Sequence, residues 1–211
     1  MQDLGLLPGG STSTAYGVNA DGSVVTGYST SAAGPRAFRW TQGGGMADLG
    51  VIPGQSSSYG YGISADGAVV VGESDGATRR AFRWTAGGMQ DLGILPGRSN
   101  SSATSVSADG SALVGFSYSE GSLGRHGFLW TTELGMVDLN TYLPSLGVDL
   151  GSWVLETPNG ISADGSAMTG LASINGTGLK YAFVVTGIPA PGAWVMLSLC
   201  GLFATRRHRY P

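Results

Sequence analysis

Residues 36–74 read RAFRWTQGGGMADLGVIPGQSSSYGYGISADGAVVVGES, and this stretch contains four short runs typical of β-strands. The runs are Arg36–Thr41, Met46–Gly50, Tyr59–Ala65 and Ala68–Ser74. A glycine-rich turn joins the first two runs, and Asp66-Gly67 joins the last two. Asp-Gly between apolar runs predicts a hairpin with a type I′ turn, which needs positive φ at both central positions. Phe38 and Trp40 are two residues apart, so a strand places both on one face.

Three markers recur in the same order along the whole chain, which predicts a tandem repeat. Asp-Leu-Gly, or Asp-Leu-Asn in the last case, begins at Asp3, Asp48, Asp91 and Asp138. Ala-Asp-Gly begins at Ala20, Ala65, Ala108 and Ala163. A Phe-x-Trp pair, which becomes Phe-Val-Val in its last copy, begins at Phe38, Phe82, Phe128 and Phe183. Successive Asp-Leu markers are 45, 43 and 47 residues apart.

Four-stranded antiparallel units of this length predict an all-β, propeller-like array of about four four-stranded blades. One blade cannot bury both of its faces, so we expect stacking on neighbours to bury Phe38, Trp40, Val69 and Val71 or their counterparts. If each unit begins at the Phe-x-Trp run, the chain has three opening strands, three complete units and a final strand, Tyr181–Val185. We expect that last strand to complete the opening blade and close the ring. No helix is expected in the body, and a short apolar helix is expected at the C-terminus.

Composition limits the classes of function. The chain has 211 residues, of which 42% are hydrophobic and 12% charged, and a net charge of −3. These values exclude a charge-driven disordered chain and leave no basic footprint for nucleic acid. Cys200 is the sole cysteine, so neither an intramolecular disulfide framework nor a cysteine zinc cluster can form.

The C-terminal residues differ in character from the repeats. We divide the chain into a β-repeat domain (1–186), a Pro/Gly linker (187–192) and an apolar segment with a basic tail (193–211). As a helix, the apolar run 193–205 would be about 20 Å long, which is short of the ~30 Å hydrocarbon core. A buried core helix is one interpretation, but a basic cluster directly after the run favours a weak or temporary membrane anchor. The predicted sorting and anchoring residues are Pro189, Ala190, Pro191, Trp194, Arg206, Arg207 and Arg209.

Met1 aligns with the internal repeat methionines Met46, Met89 and Met136. An alternative is therefore that Met1 is an internal codon, with further repeats and a signal peptide upstream. The present chain would then be a fragment with an exposed sheet edge.

The markers of the body resemble the HAF-type extracellular repeat family, named for a His-Ala-Phe element. The element is at Arg36-Ala37-Phe38, Arg80-Ala81-Phe82, His126-Gly127-Phe128 and Tyr181-Ala182-Phe183. The leading histidine is therefore mostly replaced. The resemblance covers residues 1 to about 186 and implies an exported repeat protein.

Residues 188–210 resemble the PEP-CTERM type of sorting tail, in which Pro-Glu-Pro precedes an apolar segment and arginines. Here Pro189-Ala190-Pro191 lacks the central glutamate. This resemblance implies export, retention at the membrane and processing by an exosortase-like enzyme at the cell surface.

No residue set predicts catalysis or a cofactor. The repeated aspartates are expected to be turn residues, because a catalytic site is needed once and a turn is needed in every unit. His126 is expected at an exposed position next to a strand, and no serine or cysteine nucleophile accompanies it. A hydrolase would need two converging carboxylates, and Glu73, Glu120, Glu133 and Glu156 show no evident pairing in the sequence.

We therefore predict a non-enzymatic, exported repeat protein with a structural or interaction role in the envelope or extracellular matrix. The alternative is a glycan- or calcium-binding propeller, with extracellular polysaccharide as a partner. An insertion between Asn140 and Pro158 carries the candidate ligand contacts Tyr142 and Trp153. Loop anchoring and blade packing remain the simpler role for both aromatic residues, and for Tyr59, Tyr61 and Tyr118.

Overall fold

The computed structural model describes residues 1–121, 124–174 and 177–188, which form four antiparallel sheets in chain order. The first sheet contains β1 Ser13–Val18, β2 Val24–Ser29, β3 Arg36–Thr41 and β4 Gly45–Asp48. The second contains β5 Ser57–Ile63, β6 Val70–Asp75, β7 Arg80–Thr85 and β8 Gly88–Asp91. The third contains β9 Asn100–Val106, β10 Ala112–Tyr118, β11 Arg125–Thr131 and β12 Gly135–Asp138. The fourth contains β13 Trp153–Ile161, β14 Ala167–Ile174 and β15 Lys180–Thr186, and one helix, α1 Leu139–Ser145, precedes it.

The predicted all-β, propeller-like array is confirmed, but the strands are grouped two strands earlier than predicted. Each sheet begins with the strand before Ala-Asp-Gly, and the first three end on the aspartate of Asp-Leu-Gly or Asp-Leu-Asn. The physical reason is that the leucine of this marker leaves its sheet and enters an inter-sheet core, as Leu49 and Leu92 do. The chain therefore passes from one sheet to the next at this point.

The predicted closing strand is placed differently. β15 pairs with β14 inside the fourth sheet, whereas the expectation was that it would pair with the opening sheet. Residues 1–7 form no strand, so the opening sheet starts at Ser13. Within the described ranges, the fourth sheet has three strands and the other three sheets have four.

The hydrophobic core lies between consecutive sheets, as stacking of incomplete units requires. Between the first two sheets, the buried cluster consists of Ala37, Leu49, Ile52, Val70 and Phe82. Larger clusters fill the second and third interfaces. All four residues predicted to be buried by stacking are buried, namely Phe38, Trp40, Val69 and Val71.

Each first strand contains a β-bulge at the same repeat position. The bulged residues are Tyr16, Tyr61, Thr104 and Asn159. The bulge brings the strand backbone close to the second strand, where a glycine occurs every time: Gly27, Gly72, Gly115 and Gly170. A Cβ at Gly72 would lie 1.9 Å from the Tyr59 carbonyl oxygen. The repeated phenylalanine is the cross-strand partner of this glycine, as in the pair Gly72 and Phe82.

The Ala-Asp-Gly turns contact one another through backbone hydrogen bonds. The Ala20 N–H donates to the Ala65 carbonyl at 3.1 Å, the Ala65 N–H to Ala108 at 2.9 Å, and the Ala108 N–H to Ala163 at 2.9 Å. We call this series the turn ladder. It links all four sheets at one end of their first hairpins.

The predicted type I′ conformation of these turns is wrong. Among the described residues, positive φ occurs at glycine alone, and the turn glycine Gly67 has a φ of +70°. The Gly67 N–H donates to the Ser64 carbonyl at 3.0 Å, and the Ser64 N–H donates to Val69. The turn therefore includes Ser64 and Ala65 as well, and Asp66 keeps ordinary negative φ because its side chain closes the loop.

The helix α1 was not predicted from the sequence. Asp138 caps it by accepting a hydrogen bond from the Asn140 N–H, and Leu139 and Leu143 are buried against the third and fourth sheets. The helix has seven residues and contains Pro144, so it is shorter than the stretch over which a helical period can be recognised. The helix occupies the start of the predicted insertion and turns the chain toward β13.

Candidate functional site

All eight repeated aspartates are turn residues, which confirms the prediction. The N–H groups of Gly5, Gly50, Gly93 and Asn140 donate to Asp3, Asp48, Asp91 and Asp138. The N–H groups of Ser23, Ala68, Ser111 and Ser166 donate to Asp21, Asp66, Asp109 and Asp164. Within the described ranges, no three His, Cys, Asp or Glu side chains group closely enough to hold a metal ion.

The carboxylates of the Ala-Asp-Gly turns are held in the ionised form. The pKa of Asp164 is lowered to about 2, first by the hydrogen bond from the Ser162 hydroxyl and then by the Ser166 N–H. The same arrangement lowers the pKa of Asp66 and of Asp109. Such carboxylates are poor general acids at neutral pH, because they carry no proton to donate.

A second repeated contact joins the third and fourth strands of the first three sheets. Arg36 and Asp48 approach to 4.0 Å, Arg80 and Asp91 to 3.4 Å, and His126 Nδ1 and Asp138 Oδ2 to 2.6 Å. His126 was expected at an exposed position next to a strand, but it lies within β11 and is partly buried against Asp138. The first position of the His-Ala-Phe element thus faces the aspartate of the next strand.

The candidate functional site is the surface around Trp153, in the unit that departs most from the repeat. Trp153 begins β13, is 39% exposed and stacks edge-on against Tyr181, with ring centroids 5.1 Å apart. It borders two adjacent clefts of about 430 and 380 Å³. One cleft lies against the loop 147–151 and Asn140, and the other runs along Ala182–Thr186 of β15.

Tyr142 and Trp153 have different environments, although the sequence predicts the same role for both. Tyr142 is on α1 and packs against the core between the third and fourth sheets. Partial burial raises the pKa of its phenol. Tyr142 lines neither of the two clefts at Trp153. Trp153 thus borders the clefts, whereas Tyr142 contacts the core, and a ligand contact stays a prediction for both residues.

A cleft of about 450 Å³ with charged side chains in its lining lies between the third and fourth sheets and was not predicted. Glu156 is almost completely buried there and accepts hydrogen bonds from Lys180 Nζ at 2.5 Å and Ser173 Oγ at 2.7 Å. β13 has an extra bulge at Glu156, whereas the other first strands carry serine at this repeat position. Glu120 lines the same cleft. Sequence spacing gave no sign of this cleft, because the position of Glu156 depends on the register shift between Leu155 and Thr157.

On another wall of this cleft, the Arg125 guanidinium lies 4.3 Å from the centre of the Phe116 ring and 5.8 Å from that of Tyr118. Thr157 also lines the cleft, and its buried hydroxyl oxygen has no hydrogen-bond partner among the described residues. Tyr118, one of the aromatics without repeat counterparts, therefore takes part in a cation–π contact.

The remaining non-repeated tyrosines pack at the first sheet interface. Tyr28 and Tyr59 have ring centroids 5.1 Å apart, and Tyr16 and Tyr61 are 5.5 Å apart. The Tyr61 hydroxyl donates to Glu73 at 3.1 Å. Burial, followed by the negative charge of Glu73, raises the pKa of Tyr61. These contacts agree with the packing role expected for Tyr59 and Tyr61.

The predicted sorting residues all lie outside the described residues. These are Pro189, Ala190, Pro191, Trp194, Arg206, Arg207 and Arg209. In the described part of the chain, no helix has the length and apolar character needed to cross a membrane. The tail, with its expected apolar helix, therefore remains a prediction from the sequence.

Similarity to known proteins is found at the level of structure. No protein-family model matches the chain. No curated protein matches it either. Among solved structures, TolB from Acinetobacter baumannii is similar with a TM-score of 0.54 and 14% identity. The putative TolB from Agrobacterium tumefaciens is similar with a TM-score of 0.55 and 15% identity.

These similarities show a propeller-type fold built from stacked antiparallel sheets. The alignments cover 81% and 82% of this chain, but 40% and 57% of the two TolB chains. The chain thus spans about half the length of the solved structures that it resembles.

Proposed function

We propose that this chain is a non-enzymatic, exported repeat protein that acts through binding at the cell envelope or in the extracellular matrix. Its sheets serve as a scaffold, and the fourth unit presents the contact surface. We further propose that the tail, residues 187–211, directs retention through a PEP-CTERM-like signal read by an exosortase-like enzyme.

The observation that carries this proposal is that the repeated residues have structural contacts, whereas residues outside the repeat pattern are exposed in the fourth sheet. The repeated aspartates accept turn hydrogen bonds, so their role is structural. The fourth sheet, by contrast, exposes Trp153, Tyr181 and Val184, at 39%, 39% and 66%. Trp153 and Tyr181 belong to different strands, β13 and β15, but their rings are in contact on one face of the sheet. Exposed aromatic side chains grouped in this way are typical of an association surface.

Fractionation of the native host tests the proposed location. We expect the chain in the envelope or extracellular fraction. Replacing Ala190→Glu restores the Pro-Glu-Pro pattern and should increase the processed form, whereas Ala190→Gln, of similar size and without charge, should not. Full-length chain that remains soluble in the cytoplasm would contradict the proposal.

A glycan-binding role is the second candidate, favoured by the partly exposed Trp153 ring beside two clefts. Aromatic faces bind the apolar C–H surface of sugars, and few polar groups are then needed for orientation. In the loop beside the ring, Asp149 lines both clefts, as does Leu150. For calcium binding, the described residues contain no group of three or more His, Cys, Asp or Glu side chains that could hold the ion.

Glycan-array binding separates the two candidates. If the chain binds sugars at Trp153, Trp153→Ala should abolish saturable binding. Tyr16→Ala, which removes an exposed aromatic ring from the other end of the array, should leave binding unchanged. Absence of saturable binding by the unsubstituted chain would exclude the glycan candidate.

A further inference from the structure

Within residues 1–121, 124–174 and 177–188, one edge of β15 in the fourth sheet has no paired strand. β15 pairs with β14 on one side, and its residues Ala182–Thr186 line the cleft of about 380 Å³ that Trp153 and Leu155 of β13 also border. In the first three sheets, this edge of the third strand is covered by a fourth strand. Val184 is 66% exposed here. An apolar strand edge with free N–H and C=O groups is a template for another strand.

The N-terminal residues have the sequence of a fourth strand without having its structure. Residues 1–5, MQDLG, are identical to residues 89–93, of which residues 89–91 belong to β8. β8 pairs with β7 so that Asp91 is opposite Phe82 and Met89 is opposite Trp84. Residues 1–7 form no strand, and Met1 is fully exposed. The part of the chain that the structure describes thus contains a three-stranded sheet and an unpaired segment with a fourth-strand sequence.

The repeated strand contact described above supports the same match. In the first three sheets, the first residue of the His-Ala-Phe element faces the aspartate of the fourth strand. Tyr181 occupies this position in the fourth sheet. The register of β7 and β8 would place Asp3 opposite Phe183, with its carboxylate beside the Tyr181 phenol, and Gln2 opposite Val184.

The chain's own N-terminus is attached at the opposite end of the array. Leu7 is buried on the first sheet, and its N–H donates to the Ser29 hydroxyl at 3.1 Å. The four residues from Asp3 to Leu7 span at most about 14 Å. Two further sheets, each about 10 Å thick, separate the first sheet from the fourth. Both end sheets also expose an apolar residue, with Val18 at 59% and Val184 at 66% exposure among the described residues.

We infer that Met1–Asp3 of a second copy of this chain pairs antiparallel with the free edge of β15. The second copy's first sheet would then be placed against the open face of the fourth sheet. The second sheet shows this arrangement within the chain: β8 is its fourth strand, and Leu92, the next residue, enters the core between the second and third sheets. The contact is head-to-tail, so it produces a ring if the rotation closes and a filament if it does not.

Disulfide trapping between two differently substituted chains tests this inference. Cys200→Ser is made in both chains, and Gln2→Cys is placed in one and Val184→Cys in the other. Oxidation of the mixture should give a covalent species of twice the chain mass. The matched control pairs Gln2→Cys with Val18→Cys, whose position is similarly exposed but lies on the first sheet, and it should give none.

Two results would overturn the inference. One is the absence of a crosslink in the mixture. The other concerns a chain that carries both Gln2→Cys and Val184→Cys. If its disulfide forms within one chain and none forms between chains, the N-terminal segment pairs with β15 of its own chain. Sedimentation velocity gives an independent measurement: Val184→Lys should shift the concentration-dependent species to the mass of one chain. Leu134→Lys, at an exposed apolar residue of the third sheet, should not. The inference goes beyond the proposed function. Fractionation tests where the chain is located and crosslinking tests whether two copies pair, so either result can be negative without the other.

Discussion

At the scale of single residues, one glycine and one phenylalanine define each repeat. The bulge in the first strand leaves no room for a side chain on the second strand, so glycine is required there. The phenylalanine opposite covers the space above that glycine, an arrangement known to stabilise glycines in sheets. This explains why the Phe of the His-Ala-Phe element persists while its first residue varies.

Gly72→Ala tests this pairing. A Cβ at this position would lie 1.9 Å from the Tyr59 carbonyl oxygen and 3.0 Å from the Phe82 ring. We expect the free energy of unfolding to fall by about 1–3 kcal/mol, as in other overpacked sites. Gly43→Ala is the matched control, because its Cβ would meet no atom within 4 Å. Urea unfolding measures both variants, and an equal effect in the two would contradict the bulge argument.

The pKa of Asp164 gives a second prediction at this scale. A folded-state pKa of about 2 lies below the unfolded value of 3.8, so the ionised form favours the folded state. The resulting stabilisation is complete above pH ~4 and is lost as the pH falls toward 2. Ser162→Ala removes the first cause of the shift and should raise the titration midpoint of Asp164, observed by carboxyl NMR. Ser11→Ala, at an exposed serine before β1, should leave the midpoint unchanged.

At the scale of elements, the fourth unit departs from the repeat in its first strand. The extra bulge in β13 turns Glu156 into the cleft toward Lys180, where the other units have a serine that bonds backbone groups, as Ser58 and Ser101 do. A buried carboxylate needs such a partner, since leaving it unpaired is costly. β13 and β15 are therefore joined across β14 by charge.

Lys180→Met should destabilise the protein, because the buried Glu156 carboxylate would lose its positively charged partner. The hydrogen bond from the Ser173 hydroxyl would remain. We expect a loss of about 1.5–3 kcal/mol, the range for hydrogen bonds to charged groups, and toward its low end since Lys180 is partly exposed. Lys180→Arg should retain most of the stability. In a double-mutant cycle, Glu156→Gln should make Lys180→Met nearly neutral; additive effects would show that the two residues do not interact.

The elements also show which local features a sequence reveals. The spacing of Phe38 and Trp40 predicted their shared burial, and every repeated aspartate was predicted as a turn residue because turns recur. The turn type was missed because the Asp-Gly pair is embedded in a longer loop closed by serine. The helix α1 was missed because seven residues with an internal proline are too few to establish a helical period.

At the scale of the whole molecule, stability should vary along the array. In a stack of sheets, an inner sheet is covered on both faces and an end sheet on one. Five of the six residues of β6 are buried, whereas β1 has none and β15 is mostly exposed. The ends should open without unfolding of the centre.

Amide hydrogen exchange measures this gradient. At dilution that keeps the chain monomeric, we expect the slowest exchange in β6 and β10 and faster exchange in β1 and β15. Rates are normalised to those of unstructured peptides of the same sequence, which removes intrinsic differences. Uniform protection across the four sheets would mean that they unfold as one unit, contrary to the expectation.

The order of the sheets was predictable from repeat spacing, but their boundaries were not. The same series of strands can be divided at Phe-x-Trp or at Asp-Leu-Gly, and periodicity alone does not choose between them. The choice depends on Leu49 and Leu92, which enter the inter-sheet cores. Trp153 was proposed as a ligand contact because it interrupts the repeat, and that role stays a prediction. The Glu156 cleft depends on a bulge in β13 that cannot be recognised from the sequence.

The turn ladder has a consequence for how such a chain diverges. Its bonds join main-chain atoms of Ala20, Ala65, Ala108 and Ala163, so they are indifferent to side-chain replacement elsewhere in a unit. Units can differ in length, as the insertion between Asn140 and Pro158 shows, provided that the turns of the turn ladder keep their spacing. Units can therefore differ in the composition of their exposed positions and still form the same backbone contact with their neighbours, provided that the inter-sheet cores stay filled.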